Sequence, residues 1–361
     1  MPTYDIAPGV NAALDGFAAP ERLGFGLVAA PVMYSADWAD GAWGRGTLLP
    51  YGPIGLLPGS RALQYAELVF EGLKAYRVGQ PWPNFFRPLE NCRRFARSAE
   101  RLSMPAVPER LFFEAIDAVA GTLAPFIPSK SGTALYLRPF LFGTETGYLL
   151  RNSSTFRFMV IANPVEAYST GAMRVAIERE DIRAAAGGLG YAKAAANYAA
   201  SLRASSAAVA RGYTIALWLD GREHRLIQEL SGMNVFAVIN GELHTPALDD
   251  TILPGITRNS LVALARHVGY RVHERPMPID ELLTQMRSGD CRELLACGTA
   301  AIVSPIGVLA DADGTEHVPV DVDHVAADLR EALLAIQERR STDVFGWTRQ
   351  VGQAAGNVCS R

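Results

Sequence analysis

The sequence predicts a mixed α/β chain, with α+β character, in two domains. Three observations carry this. Strand-like apolar runs and helix-period segments interleave along the chain without an internal repeat. A loop-like stretch, "PVEAYSTGA", interrupts that pattern near residues 165–172. The 361 residues are 49% hydrophobic and 20% charged, enough chain for two ordinary cores and too apolar for disorder. The expected boundaries are a smaller N-terminal α/β domain over 1–164, an interdomain loop over 165–172 and a larger C-terminal domain over 173–361.

In chain order, residues 1–60 read as loop-rich, with the Gly/Pro cluster "PYGPIGLLPGS" ahead of strand-like "LKAYRV" and "NFFR". Helical periodicity follows in "PLENCRRFARSAERL" and "PERLFFEAIDAVAGTLAPF". Pro88 and Pro108 open these helices, where a missing N–H costs little. "ALYLRPFLFG" and "TFRFMVIAN" are strand candidates, the second ending at Pro164. Beyond the loop come strands "RVAIER", "TIALWLD", "NVFAVIN" and "AIVSPIGVL", alternating with helical stretches around 196–211, 258–269 and 323–339.

Composition excludes several classes. A net charge of −3 attracts neither nucleic acid nor an anionic membrane. Cys92, Cys291, Cys297 and Cys359 show no CxxC or Cys/His spacing and the six histidines are scattered, so neither a disulfide framework nor a metal is expected. "MPTYDIAPGVNAALDGF" has acidic residues and no long apolar core, unlike a secretory signal, and no apolar run suits a membrane span. A cytoplasmic enzyme or binding protein is expected.

Chemistry enters at "GGLGYAKAAANYAASL", where Lys193 is the one cation among Gly and Ala. A solvent-facing lysine at a helix start is the ordinary reading; the alternative is that small residues clear room for a large group the lysine touches. Glu229 stands in "LIQELSGMNVF", ahead of an apolar strand, where taken alone an ordinary strand-end charge is the favoured reading. "ILPGITRNSLVALARHVGY" offers Gly255 at a turn, Thr257 as an N-cap and a helix start whose amides attract anions. "ACGTAAIV" presents a second small-residue turn, Gly298-Thr299-Ala300, and an anchoring arginine stands among Arg87, Arg93 and Arg94. Together these suit a phosphorylated aromatic aldehyde held as a Schiff base, with a carboxylate tuning its ring nitrogen.

From about residue 45 to 350 the chain resembles the branched-chain amino acid aminotransferases, pyridoxal 5'-phosphate enzymes of two-domain fold type IV. The matching phrases include "PYGPI", "QYAELVFEGLKAYR", "ALYLRPFLFGTE", "NYAASL", "LWLD", "GMNVF", "ILPGITRNSL", "RELLACGTAAIVSP" and "FGW". The resemblance implies Lys193 as the Schiff-base lysine and proton shuttle, Glu229 on the pyridine nitrogen and Tyr198 beside the phenolic oxygen. It implies Arg94 on the phosphate through its guanidinium fork, with amides of Ile256 and Thr257 and a contact from Thr299. For substrate it implies Thr299 and Ala300 amides and the Tyr136 hydroxyl on the α-carboxylate, and Arg138 on the distal carboxylate of glutamate. Phe70 and Tyr168 would line the side-chain pocket, and Tyr65 would reach in from a partner subunit, which requires a homodimer. Transamination between a hydrophobic, branched-chain-like L-amino acid and 2-oxoglutarate follows, with the PLP site in the C-terminal domain.

The chain departs from the family at several places. Ala195-Ala196-Asn197 replaces Gly-Gly-Asn after the lysine, Ser231 replaces Gly, and "APVM" (Ala30 to Met33) and "GYLLRN" (Gly147 to Asn152) replace pocket-lining segments. These leave open a specialised substrate, a D-amino acid aminotransferase, an aminodeoxychorismate lyase or, less well matched, a PLP-binding protein without turnover.

Overall fold

Buried, hydrogen-bonded strands set the frame that holds each candidate residue. The structure is a computed structural model and describes residues 3–166, 171–319 and 324–352. The chain forms two compact units, the first taking Met1–Tyr168, Ala192–Ala195 and Ala335–Arg361, the second Ser169–Tyr191 and Ala196–Leu334. The C-terminal boundary therefore differs from the expected 173–361. After Leu334 the chain belongs to the first unit, because Thr348–Gln350 finds its antiparallel partner in Asn84–Phe86.

The first unit is built on a sheet running Asp5–Ile6, Thr47–Pro50, Val32–Ala39, Phe156–Val165, Ala134–Gly143, Leu73–Tyr76, Asn84–Phe86 and Thr348–Gln350. Leu68–Phe70 also pairs with Ala134–Gly143. Helices Pro88–Arg101 and Glu109–Thr122 cover it, packing Phe95, Phe112 and Ile116 with Phe158 and Val160. Full burial of such side chains stabilises the unit by roughly 1.5–3 kcal/mol each. Residues 1–60 are less loop-rich than expected: Val32–Ala39 is a long strand whose polar positions blur its alternation. The strand expected to stop at Pro164 continues to Val165. Its register with Val32–Ala39 ends at Val160, so beyond that point it has a ladder on one side and tolerates a residue without N–H.

The second unit's sheet runs Ile227–Leu230, Ile215–Leu219, Met173–Glu178, Ile302–Ala310, Cys291–Gly298, Asn234–Ile239, Glu242–Pro246 and Val272–Arg275. Met173–Glu178 pairs in parallel with both neighbours, which requires long crossovers. The helical stretch expected over 196–211 is two helices, Ala195–Ala200 and Leu202–Ala210, separated at Ser201, whose hydroxyl donates to the Tyr198 carbonyl at 2.8 Å. Ala195 and Ala196 open the first of these. Alanine favours a helix over glycine by roughly 1 kcal/mol per residue, which gives that departure a local reason.

Candidate active site

Lys193 lies in the short segment Ala192–Ala195 of the first unit and is fixed through its backbone. Its N–H donates to Ser98 Oγ at 2.9 Å and its carbonyl accepts the Phe70 N–H at 3.0 Å. Ala194 bridges Val69. Such anchoring sets the side chain's direction before a ligand arrives, lowering the entropy cost of placing the amine. The ammonium stands 4.8 Å from the Phe70 ring centroid, and Arg138 stands 4.6 Å from the same ring. Tyr136 and Arg138 share one face of strand Ala134–Gly143 by its two-residue period, and Arg138 Nη2 donates to Tyr136 Oη at 3.0 Å. Gly72 leaves space for that hydroxyl, since a Cβ there would lie 2.1 Å from it. Arg138 Nε is buried without a hydrogen-bond acceptor among the described residues. Phe70, Tyr136, Arg138 and Lys193 are thus brought together.

Arg94 has its guanidinium fork on Glu71 rather than presented for phosphate. Nε donates to Oε1 at 2.7 Å and Nη2 to Oε2 at 2.9 Å, while Asn91 Nδ2 donates to Oε2 at 2.7 Å. Burial opposes charge on Glu71, but the Arg94 pair outweighs it and Lys193 adds to it, holding the carboxyl below its ordinary range. Tyr65, 42% exposed, donates its hydroxyl to the Tyr148 carbonyl at 2.7 Å. Arg61, buried, donates to the carbonyls of Leu149 and Arg151 and so pins the 147–152 loop from beneath. Ala30 and Val32 lie in the unit's core and Met33 packs with Phe142 and Met159, so the "APVM" departure works in core packing. Tyr168 lies outside the described residues.

In the second unit Glu229 sits in strand Ile227–Leu230, 3% exposed. Its Oε1 faces Arg183 Nη2 at 3.2 Å, and its Oε2 accepts from Asn234 Nδ2 at 3.2 Å and the Leu253 N–H at 3.1 Å. Neighbouring Gln228 donates to Thr251 Oγ1 at 2.8 Å. The helix expected from Thr257 begins at Ile256, with Gly255 as N-cap and no side-chain cap bond, so Thr257 lies inside the first turn. Gly255 is needed there: a Cβ would meet Asn234 Oδ1 at 2.0 Å. Thr299 and Ala300 form the turn joining Cys291–Gly298 to Ile302–Ala310. Ile302 follows at φ 64°, a costly left-handed conformation for a β-branched residue and of the kind that collects at ligand sites. Arg330 holds this turn through the carbonyls of Ala301 and Val303. Tyr198, half-buried, lies in helix Ala195–Ala200, and Asn197 Nδ2 donates to the Leu189 carbonyl at 2.7 Å.

A family model described as amino-transferase class IV matches residues 68–308. The chain is also 38% identical over 337 residues to branched-chain-amino-acid aminotransferase 2 of Bacillus subtilis (strain 168), covering 92% of this chain and 93% of that one. The chain belongs to the class IV aminotransferases. Its fold is similar to the branched-chain aminotransferase of Thermoproteus uzoniensis solved with norvaline, with a TM-score of 0.72, 27% identity and coverage of 88% and 99%. It is similar too to the T.th. branched-chain amino acid aminotransferase complexed with N-(5'-phosphopyridoxyl)-L-glutamate, with a TM-score of 0.69, 29% identity and coverage of 88% and 98%.

The aminotransferase also holds buried ion-pair residues that its sequence did not announce. Glu71 and Arg183 pair with Arg94 and Glu229, distant in sequence, and sit in unremarkable contexts, "VFEGL" and "EDIRAA". Ser231 accepts the Trp218 indole N–H at 2.8 Å and lies 3.2 Å from Ser205 Oγ, so this departure from Gly satisfies a fully buried tryptophan. Two of the scattered histidines meet in space: His244 and His273 stack at 4.6 Å in register, with Glu242 beside them. Arg275 donates to His244 and Arg271 pairs with Glu242, so these groups already have partners. Among the described residues no helix of the aminotransferase is long and apolar enough to cross a membrane.

Proposed function

We propose that this aminotransferase exchanges amino groups between a hydrophobic, branched-chain-like L-amino acid and 2-oxoglutarate, with pyridoxal 5'-phosphate held through Lys193. The observation carrying this is the pair of cations, Lys193 and Arg138, on one aromatic ring, with Arg94 close by and Glu71 as the buried carboxylate among them. That charge set suits anionic ligands.

The residues present fit the cofactor. A helix starting at Ile256 without a side-chain cap offers amide donors to a phosphate, and buried Glu229 offers a carboxylate to a ring nitrogen. When bound, the cofactor supplies an aldehyde that receives the amino group and a ring that takes up an electron pair. Lys193 moves the proton at the substrate Cα, and Glu229 holds the proton at the ring nitrogen. Tyr198 donates to the phenolic oxygen. Ile256, Thr257, Thr299 and Arg94 bind phosphate, Arg94 only through what its Glu71 pairing leaves. Tyr136 with the Thr299 and Ala300 amides orients the α-carboxylate, Arg138 receives the distal carboxylate of glutamate, and Phe70 meets the apolar side chain. A buried guanidinium nitrogen lacking an acceptor supports that role for Arg138.

The test is a comparison of kcat/KM for leucine, valine, phenylalanine and aspartate with 2-oxoglutarate as acceptor. Leucine-like substrates are expected to lead, since an apolar side chain gains about 25 cal/mol per Å² buried. A clear preference for aspartate would overturn the apolar pocket.

The same reading includes a homodimer. Tyr148, Leu149 and Leu150 are 75%, 72% and 90% exposed, consecutive on a loop that Arg61 and Tyr65 hold in place. Scattered exposed apolar residues are ordinary, but a pinned run of three supports a contact with a second copy of the chain. Light scattering should find at least a dimer at micromolar concentration, and Leu149→Asp with Leu150→Asp should weaken both assembly and turnover. A fully active monomer would remove the shared site.

A further inference from the structure

We infer that Arg183 is a positioning residue that acts through Glu229, an inference that rests on the functional reading above. Glu229 must hold one orientation and stay ionised to do its work, yet its strand gives it neither. Arg183 supplies both. Its Nη2 faces Glu229 Oε1 at 3.2 Å, and the same nitrogen donates to the Thr251 carbonyl and to the Gly190 carbonyl at 3.3 Å. Both partners are nearly inaccessible, with side chains 7% and 4% exposed. An opposite charge this close favours the ionised carboxylate and, in a poorly hydrated setting, is weakly screened.

The contact is also an architectural joint. Gly190 lies just ahead of the segment carrying Lys193, and it packs on the backbone of the 249–251 turn so tightly that a Cβ would lie 2.5 Å from the Thr251 carbonyl oxygen. Tyr191 N–H donates to the Asp250 carbonyl at 3.1 Å and Gly187 N–H to Asp250 Oδ2 at 2.5 Å. Asp249 Oδ1 accepts from Thr251 N at 2.8 Å and from its hydroxyl at 2.6 Å, closing the turn. Arg183 ties these two loops to the carboxylate at one point. Glu229 Oε2 is fixed independently, by Asn234 and the Leu253 amide. Loss of Arg183 therefore removes the ion-pair contact from one oxygen of the carboxylate while Asn234 and the Leu253 amide keep the other, which misorients Glu229 without releasing it.

The experiment is a double-mutant cycle of Arg183→Met and Glu229→Gln, read by cofactor titration of the apo-protein and by steady-state kinetics. Arg183→Met should lower kcat about 10²-fold, the scale of a small misplacement at a reacting group, with the amino-donor KM within about threefold. The double variant should be no worse than Glu229→Gln alone in either readout, because Arg183 has nothing left to act through. Arg183→Lys should recover part of the loss, and it carries the cycle if Arg183→Met fails to fold. Additive losses, or an Arg183→Met enzyme equal to wild type, would overturn the inference. A wild type that binds cofactor but transfers no amino group would sink the functional reading instead, and the titration cycle still decides the pairing: non-additive supports it, additive overturns it.

Discussion

Lys193→Ala should abolish amino-group transfer while leaving the fold in place. The loss in kcat should be about 10⁵-fold or more, the scale on which removing a covalent catalyst acts. The fold survives because the bonds that anchor this residue, from its N–H to Ser98 and from Phe70 to its carbonyl, are main-chain bonds on the Lys193 side. Alanine keeps both. Only three lysines occur in the chain, Lys74, Lys130 and Lys193, which makes the assignment directly testable. Borohydride treatment of the cofactor-loaded enzyme followed by peptide mapping should place the label on Lys193. Lys74, 3% exposed in strand Leu73–Tyr76, is the internal control for a buried lysine. A label there, or on Lys130, would move the reacting amine elsewhere and undo the site assignment.

What the sequence made legible has a physical pattern. Helices Pro88–Arg101 and Glu109–Thr122 announced themselves because a 3.6-residue period and a proline at the start are local signals. Lys193 and Glu229 stood out because a charge in small or apolar surroundings needs a reason. The strand Val32–Ala39 did not stand out, since Ser35 and Asp37 interrupt its alternation. The small residues around Lys193 read as room for a ligand, and for Gly190 the structure adds a second cause, the backbone of Thr251 against it. Partners distant in sequence stayed hidden. Arg94 reads as a phosphate arginine, and the sequence does not show that Glu71, 23 residues earlier, also takes its fork. Neither residue alone says which partner it will find.

That pair carries the largest stability effect expected of a single substitution here. Glu71 is fully buried and Arg94 is 5% exposed, so each charge is stabilised by the other, with Asn91 and Lys193 adding support to the carboxylate. Glu71→Ala takes the paired carboxylate from a buried guanidinium and should cost about 3–5 kcal/mol, the range for breaking a buried pair from one side. Glu71→Gln keeps the shape and one acceptor for Asn91 and should cost less. A double replacement of Glu71 and Arg94 by apolar residues should cost less than the sum of the single losses, because no charge is left unpaired. The pH dependence has a definite sign. The folded carboxyl titrates below its ordinary value of 4.5, with burial opposing that shift and Arg94 and Lys193 outweighing it. A depressed folded value means the pair's contribution is fully present above about pH 4.5 and is lost as pH falls through the folded value. Urea unfolding of wild type and Glu71→Gln at a series of pH values should therefore show a stability gap that is constant near neutrality and narrows below pH 4.5. A gap that stays constant through acid would mean Glu71 is not ionised in the folded protein, and Arg94 would then need another anion to account for its burial.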